Sequence, residues 1–265
     1  MQSHQIRPLY LAYTRAVSPT LGDCELTHLD RVPIDIERAV AEHEAYEEQL
    51  RELGAGVRRL RVEPDLPDAV FVEDTAVVLD DVAVVTRPGA ATRREEVFTV
   101  ADVLAAHRSL AWIQEPATLD GGDVLVDDHR VFVGLSTRTN REGVAQLAAI
   151  LHPVGYSVIP VNFGGCLHLK SAVTRVAPRM LLLNPDWVQP SVFSGSRVVS
   201  VDPAEPYAAN ALELGDAVIC PAHFPLTRAR LQVEGLDVVP VEMRELAKAE
   251  AGVTCCCLLV RVGRH

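Results

Sequence analysis

At 265 residues, 48% hydrophobic and 23% charged, the chain has the composition of a soluble globular protein long enough to bury a core, which excludes low-complexity and disordered classes. Its net charge of −11 argues against nucleic acid as a partner, because a phosphate-binding surface needs clustered Lys and Arg. No apolar run approaches the roughly 18 residues that span a bilayer, and residues 1–16 lack the basic and apolar regions of a signal peptide. Cys24, Cys166 and Cys220 stand alone, and Cys255, Cys256 and Cys257 are adjacent. That spacing is neither a disulfide framework nor a Cys-x-x-Cys zinc pattern. The expected setting is the cytoplasm, with free thiols, no membrane contact, and a monomer or homodimer.

In chain order, residues 5–13 alternate loosely and read as a first strand. Residues 18–23, with Pro19 and Gly22, form a loop. Residues 35–53 give a helix with Ile36, Val40, His43, Leu50 and Leu53 on one face, stopped by Gly54. Residues 57–62 form a short strand. Two apolar runs, 75–79 and 82–86, flank Asp80-Asp81 and make a hairpin. Thr92-Arg93-Arg94-Glu95 then has the pattern of a capping box opening a helix through Val97, Val100 and Leu104.

The same grammar recurs. Leu119-Asp120-Gly121-Gly122-Asp123 leads into the runs 124–126 and 131–133 around a polar turn, and Thr139-Asn140-Arg141-Glu142 opens a helix through Val144, Leu147 and Leu151. Asp74 matches Asp123, and Arg87 matches Arg138, at an offset of roughly 50 residues, within the range of repeat architectures. Weaker copies run from His168 to residues 180–183, from Asn210 to residues 217–220 followed by a short helix, and from Cys255 through residues 258–262. This predicts about five ββαβ-like units, each with a polar residue at the mouth of its first strand. Arranged radially, they would aim Asp74, Asp123, His168, Asn210 and Cys255 at a common axis.

Three adjacent cysteines by themselves fit core packing. Convergence with an imidazole and several carboxylates gives Cys255 a second reading. A thiolate is the nucleophilic form of cysteine, a neighbouring imidazolium stabilises it, and His168 is the natural acid and base. Asp68, Glu73, Asp74, Asp120 and Asp123 adjoin apolar strand residues, where a buried charge needs a partner. A planar guanidinium suits paired carboxylates. Arg87 and Arg138 could clamp a carboxylate or pair with local Asp residues. Together these features suggest a ligand with a guanidinium at one end and a carboxylate at the other.

With its residues in this order, the chain resembles the dimethylarginine dimethylaminohydrolases (dimethylargininases). The resemblance rests on Phe71-Val72-Glu73-Asp74, Thr86-Arg87-Pro88-Gly89-Ala90, Leu119-Asp120-Gly121-Gly122-Asp123-Val124, Gly134-Leu135-Ser136 with Arg138-Thr139-Asn140, Leu167-His168-Leu169-Lys170-Ser171, Ala208-Ala209-Asn210 and Thr254-Cys255-Cys256. It implies a five-bladed α/β propeller forming a single catalytic domain over residues 1–265. It implies Cys255 as nucleophile, His168 as general acid and base, and Asp120 as the carboxylate that orients the imidazole or the leaving amine. Glu73 and Asp74 would bind the guanidinium, and Asp68, Arg87 and Arg138 would hold the amino-acid end. Leu21 would sit on a mobile lid, and the Ala249 carbonyl would meet the α-ammonium. The implied reaction converts methylated arginines to citrulline through a covalent thiouronium, without metal or organic cofactor; a zinc ion on Cys255 and His168 would inhibit. The rival readings are arginine deimination on the same fold and a non-catalytic propeller that binds a partner.

Overall fold

A computed structural model describes residues 9–262. Strand β1 (Leu9–Arg15) is followed by helix α1 (Ile36–Glu52) and β2 (Gly56–Leu60). Next come β3 (Ala76–Val78), β4 (Val82–Val85), α2 (Val97–Leu104) and β5 (Ser109–Trp112), then β6 (Val124–Asp127), β7 (Arg130–Leu135), α3 (Arg141–Leu151) and β8 (Ser157–Asn162). A single turn, α4 (Leu169–Ala172), leads into β9 (Val173–Ala177), β10 (Met180–Leu183) and β11 (Arg197–Ser200). The series ends with β12 (Leu212–Leu214), β13 (Ala217–Pro221), α5 (Pro225–Val233), β14 (Asp237–Val241), the turn α6 (Arg244–Ala247) and β15 (Leu258–Val262). The expected first strand survives as β1; its residues 5–8 lie outside the described residues.

Among the described residues these strands form five three-stranded sheets, β15-β1-β2, β3-β4-β5, β6-β7-β8, β9-β10-β11 and β12-β13-β14. In each, the middle strand runs antiparallel to the inner strand and parallel to the outer one. A parallel pair needs a crossover, which α1, α2, α3 and α5 supply. The fourth sheet departs from the expected ββαβ pattern: β10 reaches β11 through the 3-10 turn Pro190–Phe193. β15 pairs antiparallel with β1, with Tyr13 opposite Leu258, so the two ends of the chain share one sheet.

Among the described residues there is no central core. Apolar residues gather in wedges between successive sheets. Val77 and Val84 pack with Val131 and Val133, Phe132 with Leu181 and Leu183, and Leu182 with Val218 and Cys220. Ile219 and Val241 pack with Ala12 and Leu50, and Tyr13 and Leu258 with Ala76 and Ala83. Those five seams close a ring, and the chain is a five-bladed α/β propeller. Alternate residues of a strand point to opposite faces. Each middle strand therefore feeds two seams, as Val131 and Val133 do on one side of β7 and Phe132 on the other.

Local signals explain the helix ends. Asp35 caps α1 by accepting the Arg38 N–H at 3.1 Å, and Gly54, at φ +90°, ends that helix. α3 is capped by Asn140, which takes the Gly143 N–H at 2.8 Å, and not by Thr139 as the expected box required. α2 has no side-chain cap: it is entered through the 3-10 turn Ala91–Glu96, and Thr92 bonds Glu25 at 2.7 Å. No helix among the described residues is long and apolar enough to cross a membrane.

Candidate active site

All five expected mouth residues precede or open an inner strand, and the ring brings them to one end of its axis. Asp74 lies in the 3-10 turn Val72–Thr75 ahead of β3, Asp123 in Gly121–Asp123 ahead of β6, and His168 caps α4 ahead of β9. Asn210 precedes β12, and Cys255 precedes β15. A narrow cavity is lined by Cys255, His168 and Asp74, together with Glu25, Asp68, Phe71, Arg93, Arg138, Leu167, Ala249, Glu250 and Ala251. A wider one, of about 250 Å³, shares Leu167, Glu250 and Ala251 with it and continues past His28, Leu29, Tyr207, His223 and Phe224.

His168 is wedged between carboxylates. Its Nε2 donates to Asp120 Oδ2 at 3.0 Å, and its Nδ1 lies 3.7 Å from Asp74 Oδ1. Burial works against the imidazolium, but the charges of Asp74, Asp120 and Asp123 and the Asp120 hydrogen bond prevail and raise its pKa to about 9. The ring is therefore cationic at neutral pH. Asp120 is fully buried, and its other oxygen accepts the Gly89 N–H at 2.9 Å. Asp123 stays behind the imidazole: it accepts the Leu169 N–H at 2.9 Å and the Ser136 hydroxyl at 2.6 Å, and burial lifts its pKa to about 6.

Asp74 carries the opposite shift. Burial alone would raise it, yet His168, Arg93 and the Gly122 N–H bring it down to about 2. Gly122 is required by close approach: a Cβ there would lie 2.7 Å from both Asp74 Oδ1 and His168 Nδ1. Asp74, Asp120 and His168 offer ligand atoms close enough for a metal ion. A metal would first have to displace the His168 proton, since imidazolium does not ligate.

The nucleophile candidate sits on a braced turn. Asn210 accepts the Thr254 N–H at 3.0 Å and donates to the Thr254 hydroxyl at 2.9 Å. The Gly252 N–H donates to Cys255 Sγ at 3.3 Å, and a Cβ on Gly252 would fall 2.3 Å from Asn210 Cγ. Cys255 is part-exposed, whereas Cys256 and Cys257 are buried, Cys256 completely. Burial of the sulfur and the charges of Glu73 and Asp74 push the Cys255 thiol far up, so it rests protonated. The thiolate that attacks has to form against these acids.

The other expected residues divide. Asp68, Arg138 and Ala249 line the cavity beside Asp74, and the Glu25 N–H donates to both Asp68 oxygens at 3.2 and 3.1 Å. Glu73 does not line it. Its carboxylate is taken by Lys170 at 2.6 Å and the Thr254 hydroxyl at 2.7 Å, and its N–H donates to the Cys255 carbonyl at 3.2 Å. Two further expected residues lie elsewhere. Arg87 is not among the residues lining the cavity and bonds the Ala117 carbonyl and Glu115. Leu21 is fully buried in the seam with Phe71 and Val253, where its apolar side chain is best satisfied, and does not line the cavity.

Arg93, which was not among the expected residues, lines the cavity. It is buried, and it bonds Asp74 at 2.6 Å, Glu96 at 2.8 Å and the Phe71 carbonyl at 3.0 Å. Its spacing from Val97, Val100 and Leu104 puts it on the buried face of the α2 segment, a signal masked by the apparent capping box. Lys170, on Glu73, and Glu250, in the cavity lining, carry no local pattern that marks them as site residues.

Residues 30–259 match the family model for eukaryotic N,N dimethylarginine dimethylhydrolase. The chain is 39% identical over 259 residues to the N(G),N(G)-dimethylarginine dimethylaminohydrolase of Streptomyces coelicolor, covering 96% of this chain and 98% of that one. It is 31% identical over 223 residues to the protein of the same name from Pseudomonas aeruginosa, covering 83% and 88%. A cysteine-to-serine variant of the Pseudomonas aeruginosa enzyme, solved with citrulline, superposes with a TM-score of 0.91 at 29% identity, covering 95% of this chain and all of that one. The chain belongs to the dimethylarginine dimethylaminohydrolase family.

Proposed function

We propose that the protein hydrolyses Nω-methylated arginines to citrulline and dimethylamine or methylamine, with the whole ring acting as one catalytic unit. The observation that carries this reading is the single cavity lined by a cysteine thiol, an imidazolium and a buried carboxylate, with Arg138 and Asp68 farther along it. Relatives named for the same reaction support it. The substrate guanidinium lies against Asp74, and Arg138 meets the α-carboxylate. The incoming cation offsets the acids that hold the Cys255 thiol protonated, so the thiol releases its proton to solvent as the substrate binds, while His168 keeps its own.

The Cys255 sulfur then attacks the guanidinium carbon. His168 Nε2 is anchored on Asp120, which leaves Nδ1 to deliver a proton to the departing amine as the C–N bond breaks. An S-alkylthiouronium on Cys255 remains. His168, now neutral, takes a proton from water; the oxygen adds to the same carbon, the C–S bond breaks, and citrulline leaves as the sulfur regains its proton. Mass spectrometry of protein quenched during turnover with asymmetric dimethylarginine tests the sequence of steps. An adduct on the Cys255 peptide is expected. Citrulline release with no adduct, or an adduct on Cys256, overturns the assignment.

A further inference from the structure

A lysine is tied to the Cys255 turn from outside the cavity. Lys170 Nζ donates to Glu73 Oε1 at 2.6 Å, and the Thr254 hydroxyl donates to Glu73 Oε2 at 2.7 Å. The Glu73 N–H donates to the Cys255 carbonyl at 3.2 Å. Asn210, which braces Thr254, also donates to the Lys170 carbonyl at 3.1 Å. Lys170, Glu73 and the Cys255 turn are therefore one hydrogen-bonded unit. Lys170 and Glu73 do not line the cavity that holds Cys255. They line a separate one of about 150 Å³, walled by Val78, Val126, Leu212 and Leu259, and the two cavities share no lining residue. A substrate beside Cys255 meets neither member of the pair, so Lys170 can act on the reaction only through Glu73.

The charges around the sulfur are unbalanced. The cavity sets the carboxylates of Glu25, Asp68, Asp74 and Glu250 against the cations of His168, Arg93 and Arg138. An ionised Glu73 enlarges that surplus of acid. After the burial of the sulfur itself, the charges of Glu73 and Asp74 hold the Cys255 thiol protonated, and the Lys170 ammonium works the other way. A close ion pair acts at a distance as a dipole, so Lys170 at 2.6 Å removes most of the Glu73 charge as felt at the sulfur. The two side chains are only 17% and 9% exposed, and water screens such a pair little.

We propose that Lys170 is a positioning residue for the nucleophile: it holds and neutralises Glu73, so that the Cys255 thiolate can form when the substrate cation enters. The assignment rests on Cys255 as the attacking group of the reaction proposed above.

Alkylation of Cys255 by iodoacetamide without substrate reads thiolate formation apart from turnover, and peptide mass spectrometry assigns the labelled cysteine. Lys170→Gln still offers Glu73 a hydrogen bond but leaves its charge standing. Its labelling is expected to be about tenfold slower than that of wild type at a given pH, a rise of about one unit in the thiol pKa. The rising limb of kcat/KM against pH is expected to move up by the same amount. Glu73→Gln leaves the ammonium unopposed and is expected to speed labelling. Lys170→Arg, and the double variant Lys170→Gln with Glu73→Gln, are expected to follow wild type. A packing role would slow both single variants, whereas a charge role sends them in opposite directions. Slowing in both, or no change in either, overturns the proposal. If Lys170→Gln does not fold, the sign of the change in Glu73→Gln decides alone. Opposite shifts in labelling with no citrulline released by wild type would sink the proposed reaction and leave the coupling of Lys170 to the Cys255 sulfur in place.

Discussion

Arg93 Nη1 lies 2.6 Å from Asp74 Oδ2, so the carboxylate proposed to receive a substrate guanidinium already holds one from the protein. The same arginine reaches Glu96, and all three side chains are buried. Removing it strands two acids in a low-dielectric seam. Arg93→Met is expected to cost about 3–5 kcal/mol of stability, the penalty for breaking a buried charge network. Urea unfolding would measure it, and a midpoint like that of wild type would show that the acids protonate at no cost.

Arg87, bonded only to Glu115 and a carbonyl outside the cavity, gives the contrast. Arg87→Ala is expected to leave KM for methylated arginine within about twofold, as exposed ion pairs contribute little. Arg138→Ala is expected to raise it by about tenfold or more. Steady-state kinetics on both variants distinguish the two positions.

Gly122→Ala places a methyl group 2.7 Å from the His168 ring nitrogen and the Asp74 carboxylate. A displacement of the catalytic groups by about 1 Å costs about 100-fold in rate, and a loss of that order is expected with a near-normal melting curve. Retained activity would mean that the imidazole and Asp74 do not need their observed spacing.

The His168 charge links stability to pH. Its pKa of about 9 when folded exceeds the ordinary 6.5. The stabilisation is therefore fully present below pH 6.5 and is lost as pH rises through about 9. Asp74 runs the other way: from 3.8 to about 2, it stabilises above pH 3.8 and ceases to do so as pH falls through about 2. Denaturant midpoints across the alkaline window are expected to fall more steeply in wild type than in His168→Asn. Parallel curves would mean that the buried imidazole is neutral.

Cys255→Ser is expected to abolish citrulline formation. Cys256→Ser is expected to keep it and to lose about 1–3 kcal/mol of stability from a buried hydroxyl. The reverse pattern would move the nucleophile by one residue.

The middle strands were legible because both of their faces are buried, which writes β4, β10 and β13 as unbroken apolar runs. Among the outer strands only β2 was legible. β8 and β14 carry Pro160 and Pro240 among part-exposed neighbours, a pattern tolerated because they pair on one side only. Asp74, His168 and Cys255 could be found because each stands at the mouth of a repeat. Arg93 could not be found that way, since it stands on the buried face of the α2 segment and not at the mouth of a repeat. The matching of Arg87 to Arg138 was sound as a repeat relation. In the structure Arg138 lines the cavity and Arg87 does not, because equivalent positions in two blades face different neighbours.

Because every middle strand contributes to two seams, no blade can loosen without disturbing the ones beside it. The proposed catalytic groups are contributed by separate blades and share no local scaffold. Turnover should therefore behave as a sensor of ring integrity, disappearing with the first seam to part, while most secondary structure is still in place.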